Sequence, residues 1–322
     1  MSAASRLRGP ARVEINEVAP RDGLQIEPVV VPTDAKVAFL DALSACGFAR
    51  IEATSFTSAR AIPALADAEA LMHRMQRHAG VRYTALVPNL RGLERALSCR
   101  PDEVNLVMSA SETHNRANLR MTRRQSQEQL LAMIGAARGA GVPVNISLST
   151  VFGCPFEGEV DSAAVMALAT RFAEAGAAGI TLCDTTGMAC PDQVAALCET
   201  FQAALPRTGL TIHLHNTRGM GLANALAAWQ TGVTRFDAAA GGLGGCPYAP
   251  GASGNVSTED LVHMFDCMGV ETGVDLGALL DVVAGMPALV GRDLHSQLLS
   301  AGPRLHTHQP PAWMAEHFAG QV

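Results

Sequence analysis

Eight short apolar runs recur along the chain, each followed by a stretch of helical periodicity, and this alternation limits the fold more than any other feature. The runs are VEINEV (13–18), ARIEAT (49–54), VRYTALV (81–87), EVNLVM (103–108), PVNISLS (143–149), GITLCD (179–184), LTIHLH (210–215) and VTRFDAA (233–239). Between them, segments such as Asp34–Ala45 and Ser162–Ala175 place apolar residues at i, i+3, i+4 and i+7, the signature of amphipathic helices. Glycines 47, 80, 141, 176, 179, 209 and 232 stand before the next run and read as helix ends. Short strands alternating with helices imply parallel βα units buried on both faces. Eight units in about 230 residues suit a closed (β/α)8 TIM barrel better than an open doubly wound sheet. No G-x-G-x-x-G follows the first run, which argues against a dinucleotide fold. Residues 13–302 therefore read as one α/β domain that ends in extra C-terminal helices. A loose N-terminus (1–12) precedes it and a loosely packed tail (303–322) follows.

Composition narrows the partners. The 322 residues carry a net charge of −6 and only 4% aromatics, which excludes the basic face and stacking platforms of a nucleic-acid binder. No apolar run approaches the ~18 residues of a membrane span. Lys36 is the only lysine beside 23 arginines, so a lysine Schiff base has a single candidate, in a predicted helix after the first strand. The eight cysteines form no C-x-x-C pair and read as reduced, mostly buried thiols of a cytoplasmic protein. The opening MSAASRLRGPAR carries Ser and Arg without an acid, a faint echo of an organellar transit peptide.

Chemistry in a parallel barrel gathers at the carboxyl ends of the strands. Those ends supply Arg21-Asp22 after the first run, Glu52 on the second, Asp184 on the sixth and His213-Leu-His215 on the seventh. The last loop holds six glycines between Gly241 and Asn255, with Cys246 among them. Two histidines spaced i, i+2 on a strand share a face, so His213 and His215 can offer two imidazoles to one cation. Asp22 and Asn255 can complete a mixed N/O shell that suits Mg²⁺ or Mn²⁺; a two-His-one-carboxylate iron site is the alternative. His306 and His308 repeat the spacing in the Pro-rich tail and read as solvated. Arg21 can face a developing enolate, or else form a barrel-mouth salt bridge with Glu17 or Glu52. Asp184 can organise the histidines or a substrate hydroxyl, or simply cap the following turn. Cys246, on a glycine-rich loop, is an acid/base candidate.

Six motifs give the chain a family resemblance: APRDGLQ (19–25), IEATSF (51–56), GCPFEG (153–158), CDTTG (183–187), HLHNTRGMGLAN (213–224) and AGGLGGCPYAPGASGN (240–255). Over residues 13–295 the chain resembles the 3-hydroxy-3-methylglutaryl-CoA lyase family, within the metal-dependent lyase-type TIM barrels that include isopropylmalate synthase. The resemblance implies a divalent cation, Mg²⁺ or Mn²⁺, held by Asp22, His213, His215 and Asn255, with no organic cofactor. It implies that Arg21 stabilises the enolate and that Glu52 and Asp184 support the site. Cys246 would transfer a proton, His213 would share in catalysis, and Gln25 would lie near the substrate. The implied reaction is retro-Claisen cleavage of an acyl-CoA to acetyl-CoA and acetoacetate, in a homo-oligomer that is a dimer by analogy.

Two departures bear on the substrate. Asn216 follows the second histidine where the family usually has Asp, an H-x-H-N that is similar to the synthase branch, and Arg218 stands where a smaller or aromatic residue is usual. The stretch GRDLHSQ (291–297) also alters a region that often supplies basic residues to CoA phosphates. A lyase for citramalyl-CoA or a longer-branched glutaryl-CoA, or a Claisen synthase joining acetyl-CoA to a 2-oxo acid, are the alternatives.

Overall fold

Parallel strands covered by helices need an apolar outer face, and any polar group turned inward must find a partner. A computed structural model of the chain describes residues 8–245, 254–311, 313 and 314. The eight runs form strands Glu14–Glu17 (β1), Arg50–Ser55 (β2), Arg82–Leu86 (β3), Glu103–Ser109 (β4), Val144–Ser149 (β5), Gly179–Asp184 (β6), Gly209–Leu214 (β7) and Arg235–Ala238 (β8). They pair in chain order, all parallel, and β8 returns to β1 in the register Glu14–Arg235 through Glu17–Ala238. The barrel is closed, so no sheet edge is left open. Helices Leu276–Val290 and Gln297–Ala301 follow the eighth unit, as the expected extra C-terminal helices.

The outward faces of the strands carry side chains such as Ile51, Val104, Ile146, Ile180 and Ile212, all fully buried under the helical layer. The inward faces differ from the apolar interior expected of strands buried on both sides. Asn16, Arg50, Glu52, Thr84, Glu103, Asn105, Asn145, Thr181 and Asp237 line a cavity inside the barrel. These groups largely satisfy one another. Asn145 Nδ2 donates to Asn105 Oδ1 at 3.0 Å and to Thr181 Oγ1 at 2.9 Å, and Arg50 pairs with Glu103 at 2.6 Å. The strands alternate polar-in and apolar-out within a barrel buried on both sides.

Local signals set the helix ends. Thr122 and Gln125 form a reciprocal capping box at the start of Arg123–Gly139, and Ser257 caps Thr258–Met268 by accepting from Asp260 N. Five of the seven glycines read as helix ends, 47, 80, 141, 176 and 232, have positive φ. Gly179 and Gly209 instead open β6 and β7; a Cβ there would run into Asn145 and Arg235. The single lysine is structural: in helix Thr33–Ser44, Lys36 Nζ donates to Ala64 O at 2.5 Å and to Asp67 Oδ1 at 2.6 Å.

Candidate active site

The first half of the site is built where β1 ends. Pro20 lies in a single wide turn, Ala19–Gly23, in which the Val18 carbonyl accepts from the N–H groups of Arg21, Asp22 and Gly23. Gly23 lets that turn close on the last loop, because a Cβ would lie 2.9 Å from Leu243 Cβ. Arg21 Nε donates to Glu52 Oε2 at 2.5 Å, and Nη1 donates to Asp22 Oδ1 at 2.5 Å. Among the described residues Nη2 has no hydrogen-bond partner. Glu52 is anchored on its other oxygen by Asn105 Nδ2 at 2.9 Å. The salt-bridge reading of Arg21 thus holds for Glu52 and not for Glu17, whose carboxylate turns to Ala19 N, Ala240 N and Thr258 Oγ1.

The second half comes from β7. His213 and His215 point into the same space, with their Nε2 atoms 3.1 Å apart. His213 Nδ1 lies 3.2 Å from Asp237 Oδ2; a carboxylate oxygen accepts, so Nδ1 donates, and in the neutral ring the lone pair then lies on Nε2. His215 Nδ1 is buried and unpartnered. Donor atoms of Asp22, His213 and His215 all lie within 4.8 Å of one another.

Asn255 returns the last loop to this cluster. It bridges to His215 along the backbone, and its Nδ2 donates to Asp22 Oδ2 and to Leu243 O, each at 2.8 Å. Its Oδ1 is buried without a partner. One carboxylate, two imidazoles and a free amide oxygen form a donor set suited to a divalent cation that also takes oxygen ligands.

The electrostatics suit that use. Burial disfavours the Asp22 carboxylate, but Arg21, both histidines and the Asn255 amide outweigh it and hold its pKa down to about 2. Burial, joined by the neighbouring His213, lowers His215 to about 3, leaving a neutral imidazole. His213 shifts the other way: burial opposes its charge, and Asp237 and Asp22 more than offset that. Burial raises Glu52 against the pull of Arg21.

The remaining expected residues divide. Asp184 caps the turn it precedes, Oδ1 accepting from Met188 N at 2.7 Å and Ala189 N at 3.1 Å. Its Oδ2 is buried and unpartnered, and burial lifts its pKa to about 6. Gln25 is half-buried in the turn Leu24–Ile26 beside Asp22. Cys246 lies outside the described residues. Of the seven described cysteines, five are buried and all are free. Arg218 donates from Nη1 to Thr186 O at 3.1 Å and Gly187 O at 2.7 Å, tying the loop after β7 to the loop after β6.

The sequence reading passed over Asp237, Asn16 and Asn105. A charged residue in the apolar run 233–239 was the available signal for Asp237, and it becomes meaningful only through the register that pairs it with His213.

The HMGL-like family model matches residues 12–285. The chain belongs to the HMGL-like family. It is 44% identical over 290 residues to the hydroxymethylglutaryl-CoA lyase of Bacillus subtilis, covering 90% of this chain and 97% of that protein. It is also 44% identical over 301 residues to the (R)-citramalyl-CoA lyase of Chloroflexus aurantiacus, covering 90% and 95%. An HMG-CoA lyase from Acinetobacter baumannii, solved with coenzyme A and 3-methylmalate, superposes with a TM-score of 0.90 at 47% identity, over 97% of this chain and all of that one. This HMGL-like protein is a carbon–carbon lyase.

Proposed function

We propose that the protein is a divalent-metal-dependent acyl-CoA lyase that cleaves 3-hydroxy-3-methylglutaryl-CoA to acetyl-CoA and acetoacetate. The observation that carries this reading is the convergence of Asp22, His213 and His215 beside the buried Arg21–Glu52 pair. These three, with Asn255 Oδ1, would hold the cation, Mg²⁺ or Mn²⁺. Bound there, it would lower the pKa of a chelated tertiary hydroxyl and polarise the adjacent carboxylate.

The protein's own groups account for the rest. Asp184 Oδ2, buried without a partner, is available to a substrate hydroxyl, and its raised pKa suits proton exchange near neutrality. As the C2–C3 bond breaks, charge moves onto the thioester oxygen. Arg21 Nη2, the free end of a guanidinium locked by two carboxylates, is the donor for that enolate. Glu52, itself held by Asn105, keeps Arg21 in place. Cys246 on the last loop would return a proton to the acetyl-CoA carbon. Thioester activation replaces an imine, in keeping with a lysine buried among helices. The free thiols suit a reducing cytoplasm.

A second reading has a specific support: a citramalyl-CoA lyase matches as well as a hydroxymethylglutaryl-CoA lyase. Both substrates would be incubated with Mg²⁺ or Mn²⁺ and with EDTA, and CoA products resolved by mass. Acetyl-CoA that forms with metal and vanishes with chelator is expected, and the relative rates identify the substrate. Equal turnover in EDTA would remove the metal from the mechanism.

A further inference from the structure

One polar chain runs from the barrel interior to the cation cluster, and two of its members, Asn16 and Asp237, have no part in the chemistry just described. Asp237 sits on β8 directly across from His213 on β7. Both of its carboxylate oxygens are engaged: Oδ1 accepts from Asn16 Nδ2 at 2.8 Å, and Oδ2 accepts from His213 Nδ1 at 3.2 Å. Three strands, β1, β8 and β7, thus supply one hydrogen-bonded row, Asn16–Asp237–His213. Asn16 and His213 are buried, at 4% and 7% exposed, and the Asp237 side chain between them is 12% exposed.

An imidazole free in water carries its proton on either nitrogen, and only one choice serves here. The proton must sit on Nδ1 for Nε2 to present a lone pair toward His215 Nε2 and Asp22. The acceptor that enforces this is Asp237 Oδ2. We infer that Asp237 is a positioning residue that fixes the tautomer and ring orientation of His213 for cation binding, with Asn16 holding the carboxylate in turn. Outer-shell carboxylates of this kind change metal affinity about 10–100-fold when removed. The inference rests on His213 being a cation ligand, as proposed above.

Asp237→Asn makes a sharp variant, because it keeps size and hydrogen bonding. Asn16 Nδ2 draws the new amide oxygen, so the NH₂ faces His213 Nδ1 and drives the imidazole proton onto Nε2, the nitrogen needed for the cation. Asp237→Ala removes the acceptor altogether.

The test has two parts. In metal-free, ¹⁵N-histidine-labelled wild type, two-bond ¹H–¹⁵N spectra assigned with His213→Gln report the tautomer, with no dependence on the folding of either Asp237 variant. At a pH where the ring is neutral, His213 is expected as the Nδ1–H form. Calorimetric titration with Mn²⁺ alone is expected to show the dissociation constant rising about 10–100-fold in Asp237→Asn, with a melting transition retained and lyase turnover lowered. An Nε2–H tautomer in wild type, or Mn²⁺ affinity unchanged in both Asp237 variants, overturns the inference. Failure of the metal reading itself looks different: the Nδ1–H tautomer persists, but Asp22→Ala leaves Mn²⁺ binding untouched, and Asp237 then loses its role with it.

Discussion

Arg21 spends two of its nitrogens on carboxylates that differ in purpose. Glu52 has one oxygen on Asn105 and the other on Arg21, while Asp22 retains an oxygen shared with Asn255 and stands among the histidines. This asymmetry separates the expected variants. Arg21→Met should lower kcat about 10²–10³-fold, the cost typical of a lost oxyanion donor, with little change in Mn²⁺ affinity. A fall in affinity alone would place Arg21 with the cation and not the enolate. Asp22→Ala and His215→Ala should each abolish Mn²⁺ binding in titration while circular dichroism stays native; full turnover at saturating metal in either would take that residue out of the donor set. Asp22, His213 and His215 were legible in the sequence because adjacency and i, i+2 spacing act within one strand or turn. Asp237 was not, since its partner lies on another strand and register is a three-dimensional quantity.

At the scale of elements, Glu17 joins the first strand to the last loop and its helix. Its Oε1 accepts from Ala19 N at 2.7 Å and Ala240 N at 3.0 Å, and Oε2 accepts from Thr258 Oγ1 at 2.8 Å. Full burial, reinforced by the nearby Glu259 charge, raises its pKa from 4.5 to about 8 despite those donors. In the unfolded chain the carboxyl ionises near 4.5, so between the two values the folded state holds the extra proton. The stabilisation is complete below 4.5 and is lost as pH rises through 8. Glu17→Gln keeps an acceptor for both backbone N–H groups and lets its NH₂ donate to Thr258. Its melting temperature relative to wild type should therefore rise between pH 5 and pH 8, by an amount equivalent to a few kcal/mol, since each pKa unit is worth about 1.4 kcal/mol. Parallel melting curves across that range would show the carboxyl ionised throughout. Each of the eight strands was predicted to within two residues, because apolar alternation and glycine punctuation are local. The polar lining was not predicted, because only closure of the barrel brings Asn105, Asn145 and Thr181 within reach of one another.

For the whole molecule, the two H-x-H pairs offer an internal comparison. His306 and His308 have ring centroids 4.8 Å apart and are exposed, yet Asp22, His213 and His215 form the one such cluster among the described residues. Replacing both tail histidines with Ala should leave Mn²⁺ stoichiometry at one per chain, whereas a lost equivalent would reveal a tail site. Identical dipeptide spacing thus ends in different chemistry according to what the fold brings alongside. The eight βα units, the barrel class and the strand ends from which polar groups would come are readable along the chain, since these follow from periodicities a few residues long. That Arg21 pairs with Glu52, that Asp237 lies against His213 and that Asn255 meets Asp22 from 233 residues away emerges only in the folded barrel. Those contacts depend on how closure sets the strands side by side, and no local pattern encodes that arrangement.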